Sequence, residues 1–107
     1  MNNEFIANYR IYYEDTDAGG AVYYANYLKF FERARTDFLR SKSISQFDLM
    51  QEMEIIFMVR KCEIFYKNSA RLDDLVNMKT IIKEFGGASI LMYQEMIRDT
   101  DQKLLCT

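Results

Sequence analysis

Apolar and aromatic residues crowd the start of the chain. Ile6, Tyr9, Ile11, Tyr12 and Tyr13 predict a first strand over 6–13. An acidic, glycine-rich break follows, Glu14-Asp15-Thr16-Asp17-Ala18-Gly19-Gly20. Between Asn26 and Ser41 the spacing becomes helical: Tyr27, Phe31, Ala34 and Phe38 share one stripe with Phe30 beside it, and Lys29, Glu32, Arg33, Arg35 and Arg40 populate the other side. This predicts a helix of roughly 24 Å, the longest element. Ser45-Gln46-Phe47-Asp48 has the form of a capped start for a short second helix ending near Met53.

Beyond Met53 the pattern is strand-like. A strand is predicted over 55–67, with Met58, Cys62, Ile64 and Tyr66 on one alternating face, and a polar connection over 68–73. Another strand covers 74–85, where Val76, Met78, Thr80 and Ile82 alternate; Gly86-Gly87 turns the chain into a strand over 89–98. After a turn at 99–102, Leu104-Leu105-Cys106-Thr107 opens a last strand, which reads as cut short. One strand, a long helix and then a meander indicate an α+β domain with the helix packed on one sheet face, a single domain over 1–107.

Composition narrows the chemistry. The 107 residues carry a formal charge of -2 with scattered Lys and Arg, which excludes the basic face a nucleic-acid partner requires. The longest apolar run, 55–59, is far too short to span a bilayer, and the N-terminus lacks the form of a secretion signal. Cys62 and Cys106 read as free thiols of a cytoplasmic protein. Eight Phe and eight Tyr exceed what one small core uses, which suggests an oligomer. The absence of histidine removes Ser-His-Asp and Cys-His chemistry and His-containing metal sites; Cys62 has no base to activate it, and no metal or cofactor is implied. Carboxylates and backbone dipoles must then do most of the work of any enzyme.

The acidic break offers both. Glu14, Asp15 and Asp17 crowd like charges, and an extended backbone would point Asp15 and Asp17 to one side. A general-base site is one reading; an Asp-rich turn with only local purpose is the other. Gly19 and Gly20 let backbone approach a ligand closely, and the helix starting between Ala21 and Asn26 presents unpaired N–H groups where a carbonyl oxygen could become negative. A carboxylate beside such a donor is the minimum for hydrolysing an activated ester.

The run Tyr12-Tyr13-Glu14-Asp15-Thr16-Asp17-Ala18-Gly19-Gly20-Ala21-Val22-Tyr23-Tyr24-Ala25-Asn26-Tyr27, with Phe31-Glu32-Arg33-Ala34-Arg35 and Ser69-Ala70-Arg71-Leu72-Asp73-Asp74 behind it, resembles the signature of the hotdog-fold thioesterases. It is nearest the Tol–Pal-associated acyl-CoA thioesterases and the 4-hydroxybenzoyl-CoA thioesterases. The resemblance implies a long helix wrapped by a curved antiparallel sheet, a homodimer joined sheet edge to sheet edge, often paired into a tetramer, and active sites at the dimer interface. It implies that Asp17 is the catalytic base or nucleophile toward an acyl-CoA and that the Tyr24 N–H polarises the thioester carbonyl. Asp15 would shape the turn, and Gly19, Gly20, Tyr13 and Asn26 would contact substrate. Tyr24 stands where the Tol–Pal branch has His and the hydroxybenzoyl branch Tyr. Gly86-Gly87-Ala88 replaces a basic turn, leaving Lys83 and Arg98 to reach coenzyme A phosphates. The alternative is a non-catalytic hotdog module that binds acyl-CoA or acyl carrier protein; a hotdog dehydratase is disfavoured because the chain has no His.

Overall fold

The computed structural model describes residues 3–107. Strand β1 (Glu4–Arg10) leads to the long helix α1 (Tyr27–Ser41) and the short helix α2 (Gln46–Met53). Strands β2 (Leu75–Phe85), β3 (Ile90–Arg98) and β4 (Leu104–Cys106) then form a meander. The sheet order is β1-β2-β3-β4, every pair antiparallel, with Ala7 opposite Met78 and Met78 opposite Met96.

Helix α1 forms where the aromatic stripe predicts it. Tyr27, Phe30, Phe31, Ala34 and Phe38 are buried, and the first four join Val76, Met78, Met96, Leu105 and Cys106 of the inner sheet face in one core cluster. Phe38 stacks on Phe5 with ring centroids 5.4 Å apart, and Phe30 tilts on Tyr9 at 6.1 Å. Thr80, buried in β2, accepts a hydrogen bond from Gln94 Nε2, which also donates to the Phe31 carbonyl. Sheet and helix are therefore linked by polar as well as apolar contact. The Tyr9 hydroxyl donates to Asp37 of α1, and burial first, then this carboxylate, pushes the phenol upward. The short helix starts as its sequence predicts, with Ser45 Oγ accepting from the Asp48 N–H.

Two strand predictions are corrected. The first strand stops at Arg10, because Tyr13–Asp15 winds into a single 3-10 turn; Tyr12 and Tyr13 are exposed rather than paired. The span 55–67 forms no ladder with the sheet. It meets β4 only at its end, where Phe65 and Thr107 exchange backbone hydrogen bonds and the Lys67 N–H reaches Leu105 O. Residues 55–64 have the β-branched composition of a strand but no neighbouring strand among the described residues. Met58 is 84% exposed, and of its predicted face Ile64 packs on the core while Tyr66 meets the Tyr27 ring edge-on.

Phe30→Ala and Phe38→Ala are each expected to cost about 3–5 kcal/mol, since both rings are fully enclosed and would leave cavities. Exposed Phe47→Ala should stay within about 0.5 kcal/mol. Urea unfolding of the three variants checks the contrast.

Candidate active site

The acidic break folds around a carboxylate that turns inward. Asp15 is 2% exposed. Its Oδ2 accepts from the Tyr12 N–H at 2.9 Å and its Oδ1 from Lys29 Nζ at 2.5 Å. Its backbone carbonyl accepts from Asn26 Nδ2 at 2.9 Å and from the Tyr23 N–H at 3.1 Å. Asp15 thus links the turn at 12–15 to the approach and first turn of α1.

The next residues form a narrow loop. Thr16 pairs with Val22, the Asp17 N–H donates to Ala21 O, and the Gly20 N–H closes onto Asp17 O. The far side of the loop is bonded to the chain at 70–72: Val22 N–H to Ala70 O, Leu72 N–H to Gly20 O, and a bridge between Ala21 and Arg71. Gly20 takes a positive φ of 79°, where a side chain would be strained. At Gly19 a methyl would lie 3.3 Å from Asp17 Oδ1. The Gly19 N–H donates to that same oxygen at 2.9 Å, so one carboxylate oxygen of Asp17 is oriented, and the side chain as a whole faces solvent.

The other half of the site is the approach to α1. Tyr24–Asn26 forms a 3-10 turn that runs directly into the helix. The Tyr23 N–H is taken by Asp15 O, and the Asn26 N–H by Tyr23 O. None of the hydrogen bonds of the described residues uses the Tyr24 N–H. It is a spare donor at the positive end of the helix dipole. The Tyr66 hydroxyl donates to Tyr24 O at 3.0 Å, and the Tyr66 ring meets Tyr24 and Tyr27 edge-on, at 6.3 and 5.3 Å between centroids. Burial pushes the Tyr27 and Tyr66 phenols upward, so both stay neutral; Tyr27 accepts from the Ala70 N–H and Tyr66 donates to Tyr24 O. A cavity of about 220 Å³ opens beside them, lined by Val22, Tyr24, Tyr27, Tyr66 and residues 67–69.

The structure therefore brings Asp17, Gly19, Gly20 and Tyr24 onto one knot of chain, with Asp15 at its centre. It overturns the expected side-by-side placement of Asp15 and Asp17, because the 3-10 turn sends the first inward and leaves the second outside. Asn26 spends its amide on Asp15 O rather than on a ligand or a helix cap. Tyr13 is 80% exposed, and its carbonyl accepts from the Thr16 N–H and hydroxyl. Arg98 is held by Asp74, Asp101 and Ser69 O, which removes it as a candidate for coenzyme A phosphates. Burial pushes the Cys106 thiol up to about 11, an unreactive state, and both cysteines are free. Among the described residues no cluster of Cys, Asp or Glu could hold a metal ion, and no helix is long and apolar enough to cross a membrane.

Sequence reasoning missed Lys29 and Tyr66. The helical pattern puts Lys29 only opposite the aromatic stripe, although a cation in the first turn opposes the helix dipole and so calls for a partner. Tyr66 gave no signal, since its contact with Tyr24 spans 42 residues of chain.

Residues 12–107 match the family model described as the thioesterase-like superfamily. The acyl-CoA thioesterase YbgC of Haemophilus influenzae is 47% identical over 100 residues, which are 94% of this chain and 74% of that protein. The acyl-CoA thioester hydrolase YbgC of Escherichia coli O157:H7 is 48% identical over 82% of this chain; the match spans 65% of that protein, just under two-thirds. The crystal structure of a probable thioesterase from Bartonella henselae superposes with a TM-score of 0.90 at 35% identity, covering 96% of this chain and 84% of its own. The 4-hydroxybenzoyl-CoA thioesterase of Pseudomonas sp. strain CBS-3 shares the fold, with a TM-score of 0.90 at 23% identity over 97% of this chain and 78% of its own. With its long helix laid on an antiparallel sheet and the family model matching from residue 12 to 107, the chain belongs to the thioesterase-like superfamily and has the hotdog fold.

Proposed function

We propose that this protein hydrolyses the thioester of an acyl-coenzyme A to the free acid and coenzyme A, with Asp17 as the reacting carboxylate and the Tyr24 N–H as the oxyanion donor. The observation that carries this reading is the unshared Tyr24 N–H at the start of α1, on the same knot of chain as the solvent-facing Asp17. The names of the curated relatives supply the substrate class.

In the hydrolytic step Asp17 takes a proton from water, the hydroxide oxygen bonds to the thioester carbon, and the carbonyl oxygen becomes negative against the Tyr24 N–H. The C–S bond then breaks and the thiolate leaves with a proton. The covalent variant replaces water by the carboxylate itself, giving an anhydride that water opens afterwards. Both routes need the same two groups, and one donor of this kind contributes about 3–4 kcal/mol in the transition state. The Gly19 N–H fixes one Asp17 oxygen and leaves the other for the reacting atom. The bare backbone at Gly19 and Gly20 leaves room for the acyl-CoA, with Tyr13 at the rim. Asn26 acts through Asp15 rather than on the substrate.

The site is completed by a second copy of the chain. Ile56, Met58 and Val59 are exposed along a segment whose backbone has no ladder partner among the described residues, the kind of edge that pairs with another strand. A homodimer through this edge would bring partner residues near Tyr66 and hence near Tyr24; dimers could pair further into tetramers. Acyl-CoA as substrate places the activity in the cytoplasm, and acyl carrier protein is the alternative source of the thioester.

Asp17→Asn should lower kcat by at least about 100-fold, the scale of a lost positioned base, with an unchanged circular-dichroism spectrum. Release of free thiol from short-chain, long-chain and aromatic acyl-CoAs measures it, and normal turnover would refute the assignment. Absence of turnover with every acyl-CoA, together with measurable binding, would favour the non-catalytic module. Val59→Lys should shift the protein from dimer toward monomer in sedimentation, because a charge on an edge strand opposes pairing.

A further inference from the structure

We infer that Asp15 and Lys29 form a positioning pair that holds the two reacting groups in register: Lys29 anchors the Asp15 carboxylate to the first turn of α1, and Asp15 in turn fixes the Asp17 loop and the Tyr23–Tyr24 peptide. The inference rests on the reading of Asp17 and Tyr24 given above and extends it to residues that do not meet the substrate.

The geometry is specific. Asp15 is buried, and each carboxylate oxygen has its own donor, the Tyr12 N–H on one and Lys29 Nζ on the other. The Asp15 carbonyl holds the Tyr23 N–H, one residue before the oxyanion donor, and the Asn26 side chain, one residue before α1. On the other side Asp15 lies two residues before Asp17, whose own N–H is tied to Ala21 O. The core holds α1 through its aromatic face, so its first turn is the rigid member. The Asp17 loop is exposed and glycine-bearing, so it is the member that needs holding. Lys29 is the one side chain of α1 with a charge-assisted bond to Asp15, and its side chain is about one-third exposed. Its position in the first helical turn is electrostatically unfavourable without an acidic partner. The pair accounts both for that lysine and for a carboxylate removed from solvent.

Because the pair acts through the loop, its loss should separate catalysis from binding. A displacement of about 1 Å in a reacting group can cost about 100-fold in rate. Lys29→Met is expected to lower kcat at least about 10-fold with KM changed less than about 2-fold, a pattern of lost transition-state contact rather than lost affinity. Lys29→Arg should recover most of that loss. Amide hydrogen exchange of the same variants provides a readout independent of turnover. In Lys29→Met the Asp17 and Tyr23 amides should exchange at least about 10-fold faster while the β2–β3 ladder is unchanged, the mark of a local opening. Asp15→Asn, which keeps the side-chain shape, is read in the same way if Lys29→Met does not fold.

Wild-type rates for those two amides in the variant would overturn the proposal whether or not the enzyme turns over. Turnover abolished by Asp17→Asn but untouched by Lys29→Met would also overturn it, leaving the assignment of Asp17 intact. Wild-type protein inactive on every acyl-CoA would defeat the functional reading instead, and the exchange rates alone would then decide whether the pair holds the loop.

Discussion

The burial of one helix face fixes everything else in this molecule. Tyr27, Phe30, Phe31, Ala34 and Phe38 have no stable place except against the inner face of β1–β4, so α1 can adopt only one rotation and one position along its axis. That constraint places the start of the helix at one end of the sheet. Tyr27, the first helical residue, is itself part of the core, and its hydroxyl accepts from the Ala70 N–H. The spare N–H of Tyr24 therefore points from a rigid support, which is what an oxyanion donor requires if it is not to reorganise during reaction.

The flexible part is brought to the rigid part by polar bonds. An enclosed carboxylate must have its lone pairs satisfied, and Asp15 meets that demand with donors from its own turn and from α1. The backbone at 20–22 meets a similar demand by bonding to 70–72. Two acidic residues separated by one position thus do opposite things. Asp15 faces the interior and organises; Asp17 faces outward and is available for chemistry.

Helix α1 and the strands of the β2–β3 meander were legible in the sequence because their burial is periodic within a single chain, at 3.6 residues for the aromatic stripe and at two for Val76, Met78 and Thr80. The proposed reacting residues drew attention in the sequence because acid, glycine and helix start are contiguous. What failed depends on partners distant in sequence or outside the chain. Tyr12 and Tyr13 have strand composition, yet the demands of the Asp15 carboxylate bend the backbone into a 3-10 turn. The 55–64 segment has strand composition too, but composition does not supply a neighbour to pair with. Its exposed apolar side chains are the counterpart of the aromatic surplus noted in the sequence. Lys29 and Tyr66 act across the fold, so no local pattern announced them.

The central claim is geometric: Asp17 and the Tyr24 N–H converge on one carbonyl group. A crystal structure with a non-hydrolysable acyl-CoA analogue tests it most directly. The account predicts the carbonyl oxygen roughly 3 Å from the Tyr24 nitrogen and the carbonyl carbon about 3–3.5 Å from an Asp17 oxygen or from a water held by it. An analogue bound with its carbonyl away from Tyr24, while Asp17 still faces bulk solvent in the assembled protein, would contradict it.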